Sequence, residues 1–392
     1  MTAEYVFTSE SVTEGHPDKL CDQISDALID HYLLQDEQAR VIAECAVTTG
    51  ILFVSVKAES TAVVDIPNAA RRVILETGYN RGTFNGNTCT IMTNLSEQVS
   101  RPLHIDAVSL GDEALDRLAA QDNVTAFGYA CTDTPALLPL PIWLAHQLVR
   151  QMDTARKQTL KYLTPDGKCQ VGIAFRDHAP HRVDSITLIA SQQHEAPSSS
   201  QLYDDLIEHV VSPVFAAEAI AFNSTTRIAI NPEGPVIEGG PALHAGLTGR
   251  KNGVDTYGNF SRQSAAALSG KDPTRIDRIS TYAARHAAKN IVRASLAERC
   301  EVQLSYSIGI AAPVSIRVET FGTGQLADDV ITNRAVEHFD FRLGSIIRRF
   351  NLRNLVRMHN GRFYRQLAVY GHVGRLDLDL PWEATDDADA LR

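Results

Sequence analysis

The chain has 392 residues, 44% hydrophobic and 21% charged, enough for two or three globular cores and unlike either a disordered tail or a fibre. Its 37 Lys and Arg against 47 Asp and Glu give a net charge of -10, the reverse of a nucleic-acid footprint, so any polyanionic ligand must be held by a local basic cluster. Six cysteines with no close pair argue against a structural zinc site or a disulfide scaffold, and no basic, apolar leader or long apolar run is present, which predicts a cytoplasmic protein with no membrane or nucleic-acid partner.

The opening run, Tyr5 to Val12, is short and polar-punctuated and leads into Gly15-His16-Pro17-Asp18-Lys19. Pro17 suits a first helical turn, and Leu20, Ile24 and Leu28 then recur every four residues, which predicts a helix reaching Leu34 with His16 and Asp18 at its N-terminus. Strands are expected at Arg40 to Val47 and Ile51 to Ala58, joined by a Thr48-Thr49-Gly50 hairpin, then a helix over Asp65 to Thr77 and a strand over Thr88 to Thr93. Between Asn94 and Asn123 no period is sustained, as in a long loop or lid. Leu137 to Lys157 reads as helix, Gln170 to Phe175 and Ser185 to Ala190 as strands, Gln201 to Val211 as helix and Thr226 to Ile230 as strand. Gly234 to Gly258 is loop-like, Ile276 to Ala297 helical, Ser305 to Ile310 and Val314 to Glu319 extended, and Ala335 to Phe341 and Leu343 to Phe350 helical, with an acidic tail after Trp382. Strands and helices in mixed order with hairpins favour an α+β fold over a doubly wound α/β sheet.

Neither a P-loop nor a dinucleotide Gly-x-Gly-x-x-Gly fingerprint is present. Charged residues instead sit in separate Gly-rich settings: the Gly15 to Lys19 run, Asp166-Gly167-Lys168, Gly246 to Lys251, and Ser269-Gly270-Lys271-Asp272-Pro273. Glycine beside a cation lets a phosphate meet a backbone N–H and a side chain together. Singly, each has a plain structural reading, Arg250-Lys251 as a solvated turn and Asp18 and Asp22 as helix-start decoration; their conjunction reads as a polyphosphate site.

These stretches, with Phe127 to Ala130, Val254 to Gly258, Tyr282 to Arg285, Ala288 to Val292, Val318 to Thr323 and Tyr370-Gly371-His372, resemble the S-adenosylmethionine synthetases (methionine adenosyltransferases) almost from end to end. The resemblance implies three similar α+β domains about a pseudo-threefold axis, built from 1–12 with 132–237, 13–101 with 238–280, and 102–131 with 281–392. It further implies a homodimer or dimer of dimers joined through flat sheets, with active sites between subunits and the Asn94 to Asp122 stretch gating them. The implied reaction is attack of the methionine sulfur on C5′ of ATP, expelling triphosphate, which is then hydrolysed to pyrophosphate and phosphate. A thioether has no proton to lose, so the barrier falls through alignment and stabilisation of leaving-group charge rather than through a general base.

By the same resemblance, His16 lies near the C5′ oxygen and α-phosphate, and Lys168, Arg250, Lys251 and Lys271 clamp phosphate, with Asp166 and Ala267 in the nucleotide site. Asp18 and Asp277 match ligands of two magnesium ions and Glu44 a potassium ligand, while Glu59, Gln98 and Asp122 fall at positions that hold methionine. Departures cluster around the base and the amino acid. Pro235-Val236 stands where the family usually has Arg-Phe stacking on adenine, His244 replaces an aspartate that contacts nucleoside and methionine, and Arg275 replaces the lysine that meets the methionine carboxylate. Those departures leave open a transferase for another nucleoside triphosphate or sulfur amino acid, or an inactive subunit partnering an authentic synthetase.

Overall fold

The computed structural model describes residues 4–97 and 115–392, and three sheets organise them. The first runs β1 (Glu4–Val12), β6 (Leu163–Arg176), β7 (Ala179–Gln192) and β8 (Arg227–Ile230), with β9 (Val236–Ile237) also on β7. The second is ordered β10 (Gly246–Leu247), β2 (Arg40–Thr48), β3 (Ile51–Glu59) and β4 (Thr90–Glu97). In the third, β11 (Arg299–Tyr306) lies between β12 (Ser315–Glu319) and β5 (Val124–Cys131).

Each sheet carries one long helix: α1 (Pro17–Gln35) on β2, α3 (Leu140–Gln158) on β1 and β6, and α4 (Ile276–Arg293) on β5 and β11; a shorter α2 (Ile66–Thr77) lies against α1. The chain is therefore a three-unit α+β fold. Period-two burial produces the sheet cores: Val41, Ala43, Cys45 and Val47 face α1, while Glu44 and Thr48 are exposed on the opposite side. No helix among the described residues is long and apolar enough to cross a membrane.

Most expected elements occur, with several corrections. The opening run is a nine-residue strand whose register sets Val12 opposite Lys168. The expected strand at Ser305 to Ile310 is displaced; pairing with β5 ends at Tyr306, and residues 307–310 turn. The helix placed at Ala335 to Phe341 is α5 (Asp328–His338), and Phe339, on extended backbone, and Phe341 pack into the core beyond its end. Residues after Trp382 are no free tail: Trp382, Ala388 and Leu391 are buried, and Glu383 is held by Arg285 and Lys289 of α4. The irregular stretch from Asn94 begins inside β4, and Gln98 with most of the expected lid lies outside the described residues.

Candidate active site

His16 caps α1: Pro17 follows at the first helical position, and the His16 ring Nδ1 accepts the Asp18 N–H at 3.2 Å. The ring is buried. Burial pushes its pKa down to about 3, with Lys168, Lys251 and His244 acting in the same direction and Asp166 opposing, so His16 is neutral at physiological pH and a hydrogen-bond donor through Nε2.

Below His16, α1 carries a ladder of carboxylates one turn apart, at Asp18, Asp22, Asp26 and Asp30, all buried. Each collects backbone N–H groups from a distant loop. Asp18 accepts from Leu247 N at 3.0 Å and faces Arg250 Nε at 3.1 Å, and Asp22 accepts from Gly249 N at 2.7 Å. Asp26 accepts from Gly270 N at 2.8 Å and pairs with the buried Arg278, and Asp30 accepts from Tyr364 N and Arg365 N. Successive turns of one helix therefore hold the loop bearing Arg250 and Lys251 and the loop bearing Lys271. Lys19 sits between Asp22 and Asp255; burial alone would lower its pKa, and the two carboxylates more than offset that. Only Asp18 and Asp22 drew notice in the sequence, and the four-residue aspartate period in the same segment was the signal for the rest.

Asp166 closes the site from β6. It accepts from Gly240 N at 2.8 Å and faces His244 Nε2 at 3.2 Å, while the His244 ring centroid lies 5.1 Å from that of His16. Burial would raise Asp166, but the His244 hydrogen bond, His16 and the Gly240 N–H together hold it below the ordinary carboxylate range. Gly240 has φ 64°, and a Cβ there would overlap the Tyr79 hydroxyl, which itself donates to Gly15 O; the glycine is thus required for close approach. Ala267 backs the Arg250 loop, since a Cβ at Gly249 would overlap its methyl. Behind the site, Tyr282 and Ser269 meet His372, whose N–H donates to Asp255 O. Val236 is half-buried in β9 and Pro235 exposed beside it.

His16, Asp18, Asp166, Lys168, His244, Arg250 and Lys251 thus form one cluster. Lys271 and Asp277 pair at 3.0 Å at the start of α4, joined to the cluster through Gly270 and Asp26. Arg275, the N-cap of α4, turns toward Asp272 at 3.7 Å. Glu44 is exposed on the outer face of β2, Glu59 closes β3 opposite Arg40, and Asp122 is exposed before β5, accepting from its neighbour Asn123 N. Among the described residues no hydrogen bond or ion pair links these three acids to His16. Chemically, a neutral donor, several cations and a buried oxygen without a hydrogen-bond partner, Asp18 Oδ2, suit a metal-bound polyanion.

Three family models match consecutive parts of the chain: the S-adenosylmethionine synthetase N-terminal domain at residues 4–100, the central domain at 117–236 and the C-terminal domain at 238–384. The S-adenosylmethionine synthase of Synechococcus elongatus is 48% identical, covering 100% of this chain and 98% of its own. That of Crocosphaera subtropica is 47% identical with the same coverage, and that of Prochlorococcus marinus is 47% identical over 98% of this chain and 97% of its own.

Proposed function

The chain belongs to the S-adenosylmethionine synthetase family, and from that premise we propose that it makes S-adenosylmethionine from ATP and L-methionine. The single observation that carries this reading is the gathering of Lys168, Arg250 and Lys251 around a neutral His16. The matches lend no support to another nucleotide, another sulfur amino acid or an inactive subunit.

His16 is suited to donate from Nε2 to the bridging oxygen at C5′ or the α-phosphate as negative charge grows there, and its neutrality lets it do so without titrating near pH 7. Lys168, Arg250, Lys251 and Lys271 neutralise the departing triphosphate, so most of the rate enhancement is electrostatic. No residue need remove a proton from the thioether.

The family reading includes metal, and the fit can be tested on Asp18. Its Oδ2 is buried with no hydrogen-bond partner, which suits a hard, oxygen-seeking dication. We assign Asp18 and Asp277 to two magnesium ions, which when bound supply charge neutralisation to the triphosphate. We assign Glu44 to potassium; it belongs to no group of three or more His, Cys, Asp or Glu ligand atoms among the described residues.

A second copy of the chain fits the outer face of the β2 sheet. Leu247, Ala46, Phe53 and Met92 form one row across β10, β2, β3 and β4, with Leu247 and Phe53 each 43% and Met92 54% exposed, and Glu44 lies on the same face. A homodimer on this face would complete the methionine side of each site, where Glu59, Gln98, Asp122 and Arg275 are assigned.

The test is incubation of the purified chain with ATP, methionine and magnesium, followed by mass spectrometry for the sulfonium product and assay of pyrophosphate and phosphate. Formation of all three is expected; their absence with a correctly folded dimer overturns the reading.

A further inference from the structure

The ligand-capable atoms of His16, Asp166 and His244 all lie within 4.8 Å of one another. Asp166 is 7% exposed; its Oδ2 faces His244 and Gly240 N, and its Oδ1 has no hydrogen-bond partner. His16 is buried with Nδ1 occupied by the Asp18 N–H, which leaves Nε2 for a ligand. Two imidazoles and a carboxylate are the donors of first-row divalent transition metals, whereas magnesium prefers oxygen alone. The family's aspartate at position 244 would not supply the second imidazole.

We propose that His16, Asp166 and His244 form a site for a divalent transition metal, zinc being the representative ion, with its remaining positions open to water. Three protein ligands and an open position match the coordination of an exchangeable rather than a structural zinc. On binding, the ion displaces the Nε2 proton of His16 to solvent and the ring takes up one proton on Nδ1, giving up the Asp18 N–H bond that Nδ1 accepts in the metal-free protein. Asp18 Oδ2, 3.8 Å from Nδ1 and itself unpartnered, accepts it, an outer-shell arrangement that fixes a ligating imidazole. At His244, whose Nε2 faces Asp166, a hydrogen bond is replaced by a metal bridge.

Charge sets a limit on affinity. Lys168 and Lys251 act on His16 and oppose a dication, so binding is weaker than at a four-ligand structural site. A second His and acid group, His286 with Asp386 and Asp387, is a poorer choice because Arg349 already sits on Asp387. The metal site stands on the three side chains alone; its consequence, mutual exclusion of metal and substrates, rests on the function proposed above.

The experiment titrates the full-length protein with cobalt(II), read by visible ligand-field absorption. One equivalent is expected to bind, zinc to displace it and magnesium not to. His244→Asn, which can keep a hydrogen bond to Asp166, should weaken cobalt binding at least about tenfold while its thermal midpoint stays near wild type, and His244→Gln serves if the Asn variant unfolds early. No band, equal affinity in the variant, or loss of binding in His286→Asn instead would overturn the site. ATP with methionine should abolish the band. A band that persists while product forms overturns mutual exclusion, whereas cobalt binding with no product under any condition defeats the functional reading and leaves the site standing.

Discussion

Replacing Asp26 with Asn tests whether the carboxylate ladder of α1 holds the loops of the site. Asp26 and Arg278 are both 0% exposed, and the guanidinium bonds Asp26 Oδ1, donates from Nε to Leu268 O at 2.8 Å and lies 4.5 Å from the centre of the Tyr364 ring. Asn has the same shape and keeps an oxygen for the Gly270 N–H, so the main loss is the counter-charge. Removing one partner of a buried ion pair costs about 3–5 kcal/mol, because the other charge is left in a low-dielectric interior. Asp26→Leu combined with Arg278→Met should therefore be less destabilised than the sum of the two single variants. Urea unfolding can be followed by the fluorescence of Trp382, stacked 3.8 Å from Tyr282 one turn along the helix from Arg278. Because Gly270 precedes Lys271, amide exchange across 268–271 should also rise and product formation fall in Asp26→Asn. A variant within about 1 kcal/mol of wild type, with unchanged exchange, would refute the idea that the ladder positions Lys271.

Lys168 is exposed and makes no ion pair among the described residues, so Lys168→Met should leave the thermal midpoint unchanged. Its turnover in the mass-spectrometric assay should fall by about 10²–10³, and a fall of less than about threefold would remove it from the clamp. Burial pushes the Asp30 carboxyl up to about 7 despite its bonds from the Arg365 and Tyr364 N–H groups, and no cation offsets it among its hydrogen-bond partners. A folded pKa above the unfolded value of 3.8 means that its contribution is full below about pH 4 and is lost as pH rises through about 7. The gap corresponds to about 4 kcal/mol, so the stability of wild type relative to Asp30→Asn should decline between about pH 4 and about pH 7 in urea titrations and level off above; a difference independent of pH would contradict it. Trp382→Ala removes a fully buried ring and the Nε1–H bond to His372 O at 2.9 Å, which should cost about 3–5 kcal/mol by calorimetry; a loss below about 1 kcal/mol would mean that the C-terminal segment is dispensable to the core.

Local regularities were enough for much of the architecture. The four-residue recurrence of Leu20, Ile24 and Leu28 after Pro17, and the Thr49-Gly50 turn between β2 and β3, depend on backbone periods and turn chemistry that neighbours in the chain supply. Gly-flanked cations and the family motifs likewise identified the phosphate-site residues, because residue type alone limits what can hold a polyanion. Other features are non-local. β5 went unrecognised because Val124 to Cys131 becomes a strand only by pairing with β11, and the acidic residues after Trp382 looked like a solvated tail because Arg285 and Lys289, their partners, lie almost a hundred residues earlier. His244 shows the same division at the site itself. Its sequence position marked only a missing aspartate, whereas its meeting with Asp166 and His16 depends on β6, the Gly239–Gly240 bend and the start of α1 converging, and no local pattern encodes the distance between them.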